Sequence, residues 1–404
     1  MTVFRSLSCR PFKLVWTGQV FSRLGDFLYQ IALAWWVLEE TGSALAMAGI
    51  LIFSYAPMLF FSLAGGVVVD RYPRLHVMLV SDLIRFGIVM SVSLLALSNR
   101  LAVWHIYLLS SMLGLVDAFF NPAYTACVPE LVPETELPSA NTLSSLSFQV
   151  GRIVGPPLGA AIIAVGGIGW AFTLNALTFL LSAALLAPLL KLTPPSPQGA
   201  PLRTSLVPEI KEGLRVVVAS SWLGISILVF AIINVTLVGP YRVAIPFLVK
   251  QDLNGGVNLL GFLYALFPAG YVLGSLWMGQ KAHIRHRGKY IYIGTIVAGG
   301  MLMVFGLPVG LIAFALAALI NGAGLEIANL AWANSLQEFV PGEKLGRVAS
   351  IDSIGSYILL PVGISLAGLG TEVLSASSIL ILGGGLTVLA SSLALCHPAI
   401  RHLD

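Results

Sequence analysis

About a dozen stretches of roughly twenty consecutive apolar residues run through this chain, and nothing else in it restricts the fold as strongly. A run of that length crosses the hydrocarbon layer of a bilayer as a helix, whose backbone groups bond to one another and need no water. Strands of a membrane barrel would alternate apolar and polar residues over about ten positions, which these runs do not do. Of the 404 residues 57% are hydrophobic and 10% charged, where soluble domains carry about a quarter. The expected class is therefore an all-α integral membrane protein. The net charge of +4 reads as a loop bias and not as a nucleic-acid patch. Cys9, Cys127 and Cys396 form neither a disulfide framework nor a metal cluster, and no metal or other cofactor is expected. Arg5, Arg10 and Lys13 before the first span resemble the start of a signal peptide, but Arg23 and Asp26 interrupt the apolar core such a peptide needs.

The runs predict twelve spans, six on each side of a proline-rich segment that includes Pro194, Pro195, Pro197, Pro201 and Pro208. The expected organisation is an N-terminal six-helix bundle over 1–191, a cytoplasmic linker over 192–218 and a C-terminal six-helix bundle over 219–404. Sixteen of the 22 lysines and arginines fall in the termini, the linker and alternate loops, which places both termini on the cytoplasmic side of a multi-pass cell-membrane protein.

The two halves are related in sequence. Gly114, Asn121, Ala123, Glu130, Val132, Pro133, Leu137, Ser145, Val154, Gly155 and Leu158 each recur 208 positions later (322 − 114), from Gly322 through Asn329 and Glu338 to Leu366. Composition alone would give roughly three or four such identities over a window of this size, so the bundles are read as pseudo-symmetric copies. Parallel repeats in an apolar chain are the signature of a transporter built from two similar bundles.

The loop after the second span reads GGVVVDRYPR, with Gly66, Asp70, Arg71 and Arg74 in its key places. This resembles the Gly-x-x-x-Asp-Arg-x-x-Arg motif of the major facilitator superfamily, and the twelve-span plan fits that family over the whole chain. The glycines would permit close helix contact, Asp70 would cap a helix N-terminus of the other bundle, and the arginines would bridge to carboxylates such as Glu130, Glu134 and Glu136. The second-half counterpart, from Gly274 to Lys289, keeps glycine and basic charge but lacks the aspartate. Asp82 and Arg85, close behind the loop, are expected to belong to the same gating network.

Helix 5 carries Gly151, Gly155, Pro156 and Gly159, which resemble the Gly-Pro motif of that superfamily's exporters. Small residues there admit a neighbouring backbone and the proline removes a donor, an arrangement that would seal one side of the cavity. Short phrases such as LGD at 24–26, ETGS at 40–43, DLIR at 82–85 and NPA at 121–123 are similar to the branch that includes macrolide and siderophore exporters.

Charges inside the spans are the remaining signal. Gln19, Arg23, Asp26 and Gln30 form one stripe on helix 1, and Ser110, Gly114, Asp117 and Asn121 form another on helix 4. A charge at mid-bilayer costs at least about 2.5–3.5 kcal/mol, so these residues should line a wet cavity or pair with opposite charges. Asp26 and then Asp117 are the expected proton carriers, with Arg23 and Arg152 opposing or releasing the proton; permanent Asp–Arg pairing is the competing reading. The expected substrate cavity takes Gln30, Phe119, Asn121, Tyr124, Phe148, Asn234, Glu326 and Asn329. The second half is quieter, with Asn234 standing where Asp26 stands and Leu325 where Asp117 stands.

No catalytic motif or nucleotide-binding sequence accompanies the spans, so an enzyme is not expected and energy would come from an ion gradient. One proton crossing about 100 mV contributes about 2.3 kcal/mol, enough for a roughly fifty-fold gradient. The expected function is a proton-coupled exporter of amphipathic, drug- or macrolide-like small molecules. Its partners would be that substrate, protons and the lipid bilayer, with no nucleic acid, and the protein would act as a monomer by alternating access. Export of a siderophore or lysophospholipid, or uncoupled facilitation, are the alternatives within transport. A non-transporting sensor is the contrary class, against which the buried charges argue.

Overall fold

The computed structural model describes residues 2–192, 206–281, 285–401 and 403; side chains at 2, 3, 63, 70, 191, 192, 206–212, 342 and 343 lie outside that description. Among the described residues every regular element is helical. The chain runs through α1 (Arg10–Glu40), α2 (Ala44–Arg71), α3 (Arg74–Leu97), α4 (Val103–Leu131), α5 (Leu137–Gly166), α6 (Ile168–Leu186) and α7 (Leu206–Ala219). It continues with α8 (Ser221–Ile233), α9 (Gly239–Phe247), α10 (Val257–Gly279), α11 (Arg287–Phe305), α12 (Leu311–Phe339), α13 (Gly342–Tyr357), α14 (Leu360–Val373), α15 (Ala376–Cys396) and α16 (Pro398–Arg401).

Among the described residues eleven helical runs are long and apolar enough to cross a membrane, with α8–α9 and α13–α14 each acting as one run. The remaining long helix is α1, whose 31 residues span about 46 Å at 1.5 Å per residue and which carries the polar stripe. Within the segment read as linker, 206–219 is helical as α7; residues 193–205 lie outside the described residues. Pro208 is tolerated there because it falls in the first turn, where the missing N–H has no helical partner.

The chain divides into two compact units, one of residues 1–42, 49–200 and 255–265, the other of 43–48, 201–254 and 266–404. In the first, α1 packs on α5 and α6, and α3 on α4 and α6. One apolar core there gathers Phe12, Leu75, Met78, Phe120, Cys127 and Leu143. In the second, α11 packs on α12 and α15, α14 on α9, and α13 on α7 and α8.

The sequence repeat has physical counterparts inside each unit. A side chain on Gly114 would strike the Ser54 carbonyl, and one on Gly322 the Phe267 carbonyl, so both copies use this glycine for backbone contact. The repeated glutamates are each paired with the first residue of a helix: Arg74 of α3 with Glu130, and Arg287 of α11 with Glu338.

Two irregularities mark the second unit. Between α8 and α9, and again after α9, the helix widens into π-turns at Asn234–Val238 and Leu248–Asp252. Between α13 and α14 the helix breaks at residues 358–359, just before Pro361, whose ring nitrogen has no hydrogen to donate. The Asn234 amide ties these two places together, donating to the Phe230 carbonyl at 3.0 Å and the Ser356 carbonyl at 3.1 Å.

Candidate functional site

The first unit holds a charged network inside its helices. Arg85 of α3 is 5% exposed and forms ion pairs with Asp117 of α4 and with Asp82, one turn away on its own helix at 3.6 Å. Asp82 is fully buried and accepts from the Ser182 hydroxyl of α6 at 2.6 Å, while Gln19 of α1 donates to Ser182 at 3.4 Å. The Arg85 guanidinium also lies over the Phe120 ring, 3.9 Å from its centroid, and within 5.5 Å of Phe179. Four helices are thus joined through polar side chains by one arginine and one serine.

Asp26 of α1 stands in the electrostatic field of Arg85, Asp117, Arg23 and Asp82, yet forms no ion pair or hydrogen bond among the described residues. Close to it, the buried hydroxyls of Tyr29 and Ser110 stand beside one another. The cluster therefore contains three carboxylates, of which Arg85 engages two.

This arrangement corrects the pairing expected from sequence. Asp117 meets Arg85, not Arg152. Arg152 is directed to Gln149 at 3.4 Å and lies 5.7 Å from the Phe148 centroid, while Arg23 lies over Tyr124 at 5.3 Å and Phe148 at 5.2 Å. Helical spacing places a residue on a face but leaves open which neighbour crosses that face, and here α3 comes between. Asp82 and Arg85 likewise sit apart from the loop motif: Asp82 is eight residues into α3, about 12 Å along the axis, in the buried network.

In the loop motif itself the close contact belongs to Gly65, where a side chain would strike the Ala118 carbonyl; Gly66 has nothing within 4 Å. Arg74 pairs with Glu130 at 2.5 Å and donates to the Ala126 carbonyl at 2.8 Å, whereas Arg71 is exposed. Asp70 lies outside the residues whose side chains are described.

The helix-5 glycines pack on α1. Gly151 lies 3.2 Å from a Phe27 ring carbon, Gly155 leaves no room for a side chain beside Phe27, and Gly159 is 3.2 Å from the Leu28 backbone, each measured from where a Cβ would stand. Pro156 is buried between them.

The expected cavity residues are divided between the two units, Gln30, Phe119, Asn121, Tyr124 and Phe148 in the first and Asn234, Glu326 and Asn329 in the second. Tyr124 is buried and donates to Ser144 at 3.0 Å, Phe119 is half-buried, and Phe148 is 39% exposed with its edge against Phe27. Gln30, Asn121 and Asn329 are exposed, Asn329 reaching the Tyr271 hydroxyl at 3.4 Å. Glu326 accepts from Ser275 at 2.7 Å. Asn234 is buried and its amide donates to two backbone carbonyls. Sequence reasoning missed Ser182 and Tyr29, whose residue types carry no signal of their own. It also passed over the Trp332–Asp352 contact, where the indole donates to the carboxylate at 2.9 Å.

With this geometry in hand, comparison with known proteins is informative. A family model described as transmembrane secretion effector matches residues 1–404. The chain is similar to macrolide efflux protein A of Streptococcus pyogenes, 24% identical over 395 residues and covering 97% of each chain. It is also similar to the enterobactin exporter EntS of Escherichia coli K12, 29% identical over 359 residues, covering 84% of this chain and 80% of that one. Among solved structures, a bacterial homologue of the iron transporter ferroportin matches with TM-score 0.72 at 14% identity, over 95% of this chain and 99% of that one. The nucleoside transporter NupG matches with TM-score 0.72 at 11% identity, over 95% and 98%. At such identities the structural matches speak to the fold alone.

Proposed function

We propose that this chain, which belongs to the transmembrane secretion effector family of the major facilitator superfamily, exports amphipathic small molecules in exchange for protons. It is a multi-pass membrane transporter and not an enzyme. The observation that carries the coupling is Asp26, an acid inside the first unit that stands within the field of Arg85 and Arg23 but is bound by neither. Asp82 and Asp117 are each held in an ion pair by Arg85. Asp26 is the carboxylate left to take up and give off a proton as its access to water changes.

Alternating access by rocking of the two bundles would expose Asp26 and the cargo path to each side in turn, with both termini cytoplasmic. Arg23, next to Asp26 and stacked on Tyr124 and Phe148, favours release of the proton when the guanidinium approaches and its retention when it withdraws. The efflux relatives support the direction of transport, and a macrolide is the first cargo to try. The enterobactin exporter favours a second reading, in which the cargo is a siderophore.

The test uses purified protein in liposomes with an acidic lumen and a radiolabelled macrolide or siderophore outside. A pH gradient should drive uptake by the wild type. Asp26→Asn should lose gradient-driven uptake while keeping exchange of labelled for unlabelled cargo. Gradient-driven uptake that persists at wild-type rate in the variant removes Asp26 from the mechanism.

A further inference from the structure

The second unit contains a carboxylate that proton coupling through Asp26 does not use. Asp352 of α13 is half-buried and accepts from the Trp332 indole at 2.9 Å and from the Ser356 hydroxyl at 3.2 Å. Both donors are neutral, and among the described residues no cation lies within ion-pair distance of it. Asp82 and Asp117 have Arg85, Glu130 has Arg74, and Glu338 has Arg287. Two neutral hydrogen bonds orient a carboxylate but leave its charge and further lone pairs unanswered, which is costly within a span.

The internal repeat shows what has been exchanged here. Trp332 and Asp352 stand 208 positions after Tyr124 and Ser144, and the same bond joins the earlier pair, with the Tyr124 hydroxyl donating to Ser144 at 3.0 Å. In the first unit the Arg23 guanidinium lies over the Tyr124 ring. The residue 208 positions after Arg23 is Ala231. The second copy has therefore kept the ring and the bond, replaced a hydroxyl with a carboxylate, and lost the resident cation. An aromatic ring and an acid arranged as in a frame that elsewhere holds a guanidinium are complementary to a positive charge brought from outside.

The surroundings suit an apolar cation. Trp332 meets Phe230 edge to face with centroids 4.9 Å apart, and Trp222 at 5.5 Å. The nearby Tyr292 hydroxyl is engaged with Ser226 at 2.7 Å. Asp352 also lies less than two turns before the break at 358–359, which Asn234 ties to the π-turn beginning at its own position. Interrupted helices and π-turns are where transporters and other membrane proteins commonly place their binding groups.

We infer that Asp352, with Trp332, Trp222 and Phe230, forms a recognition site for a lipophilic organic cation, either a protonated amine or a quaternary ion with apolar bulk. This deepens the exporter reading and rests on it for the purpose of the site, but it is independent of how transport is driven.

Tetraphenylphosphonium and tetraphenylborate have the same shape and opposite charge, and isothermal titration calorimetry of the full-length protein in detergent at fixed pH compares them directly. The wild type should bind the phosphonium more tightly than the borate. Asp352→Asn should lose about ten-fold in phosphonium affinity, about the Coulomb attraction of one unit charge in a partly buried site, and bind the borate at least as tightly as the wild type does. Asp352→Ser, which restores the residue type of the first copy, should behave in the same way, and Asp352→Glu should retain the preference. No phosphonium preference in the wild type, an unchanged affinity in Asp352→Asn and Asp352→Ser, or an equal loss for both ions would overturn the assignment. Gradient-driven transport without charge-selective binding would sink this site and leave the coupling scheme intact; Asp352-dependent binding without transport would do the reverse.

Discussion

Replacing Arg85 with glutamine tests whether the network of the first unit is held together by one cation. The substitution strands Asp82 and Asp117 together. Asp117 has 37% of its side chain exposed and can draw on solvent, but Asp82 is wholly buried and would keep only its bond from Ser182. Removing one partner of a buried ion pair costs about 3–5 kcal/mol, because the remaining charge stays out of water. The lost stacking on Phe120, worth about 0.5–2 kcal/mol, is counted as part of that total. Arg85→Gln should therefore lose about 3–5 kcal/mol in reversible unfolding by sodium dodecyl sulfate from mixed micelles, followed by circular dichroism. Adding Asp82→Asn should recover most of the loss, since the stranded charge is gone and the two sites share one interaction. A loss below about 1 kcal/mol, or no recovery in the double variant, would refute the claim that Asp82 depends on Arg85.

Other substitutions separate contact from mere presence in a motif. Gly65→Ala should destabilise by about 1–3 kcal/mol because its methyl would meet the Ala118 carbonyl, while Gly66→Ala should stay within about 0.5 kcal/mol, both read in the same unfolding assay. Gly155→Ala should cost about 1–3 kcal/mol through overlap with Phe27, measured likewise, and a neutral result would show that α1 and α5 are not in contact there. Asn234→Ala removes both amide bonds that tie the π-turn to the α13–α14 break and should cost about 1–3 kcal/mol, with faster hydrogen exchange confined to residues 356–360. Arg74→Ala should change stability by no more than about 1 kcal/mol, because Glu130 is 48% exposed, and a larger loss would contradict the treatment of that pair as a surface contact.

What could be read in the sequence was whatever depends on composition, spacing and duplication. The apolar runs became helices, and the 208-residue repeat became matched glycine contacts at Gly114 and Gly322 and a pair of repeated glutamates, Glu130 and Glu338, each with an arginine partner, Arg74 and Arg287. The stripe from Gln19 through Asp26 was legible because a helix fixes which residues share a face. Which acid meets which base was not. Asp117 reaches Arg85 and not Arg152 because inter-helix register decides it, and register has no local sequence signal. The same limit hid the Ser182–Asp82 bond and the Trp332–Asp352 bond, each joining residues on different helices. Neither the break at 358–359, beside Pro361, nor the π-turn at Asn234 was read in the sequence; the bond from the Asn234 amide to Ser356 that ties them depends on which helices pack together.

Proton movement itself is the most direct measure of the coupling scheme. Liposomes containing the purified transporter and a trapped pH-sensitive dye should show a lumenal pH change when cargo is added outside, of a size set by the cargo taken up. In Asp26→Asn vesicles that still exchange cargo the dye should not respond. An undiminished dye response in that variant, or wild-type cargo uptake with no proton movement at all, would contradict the account.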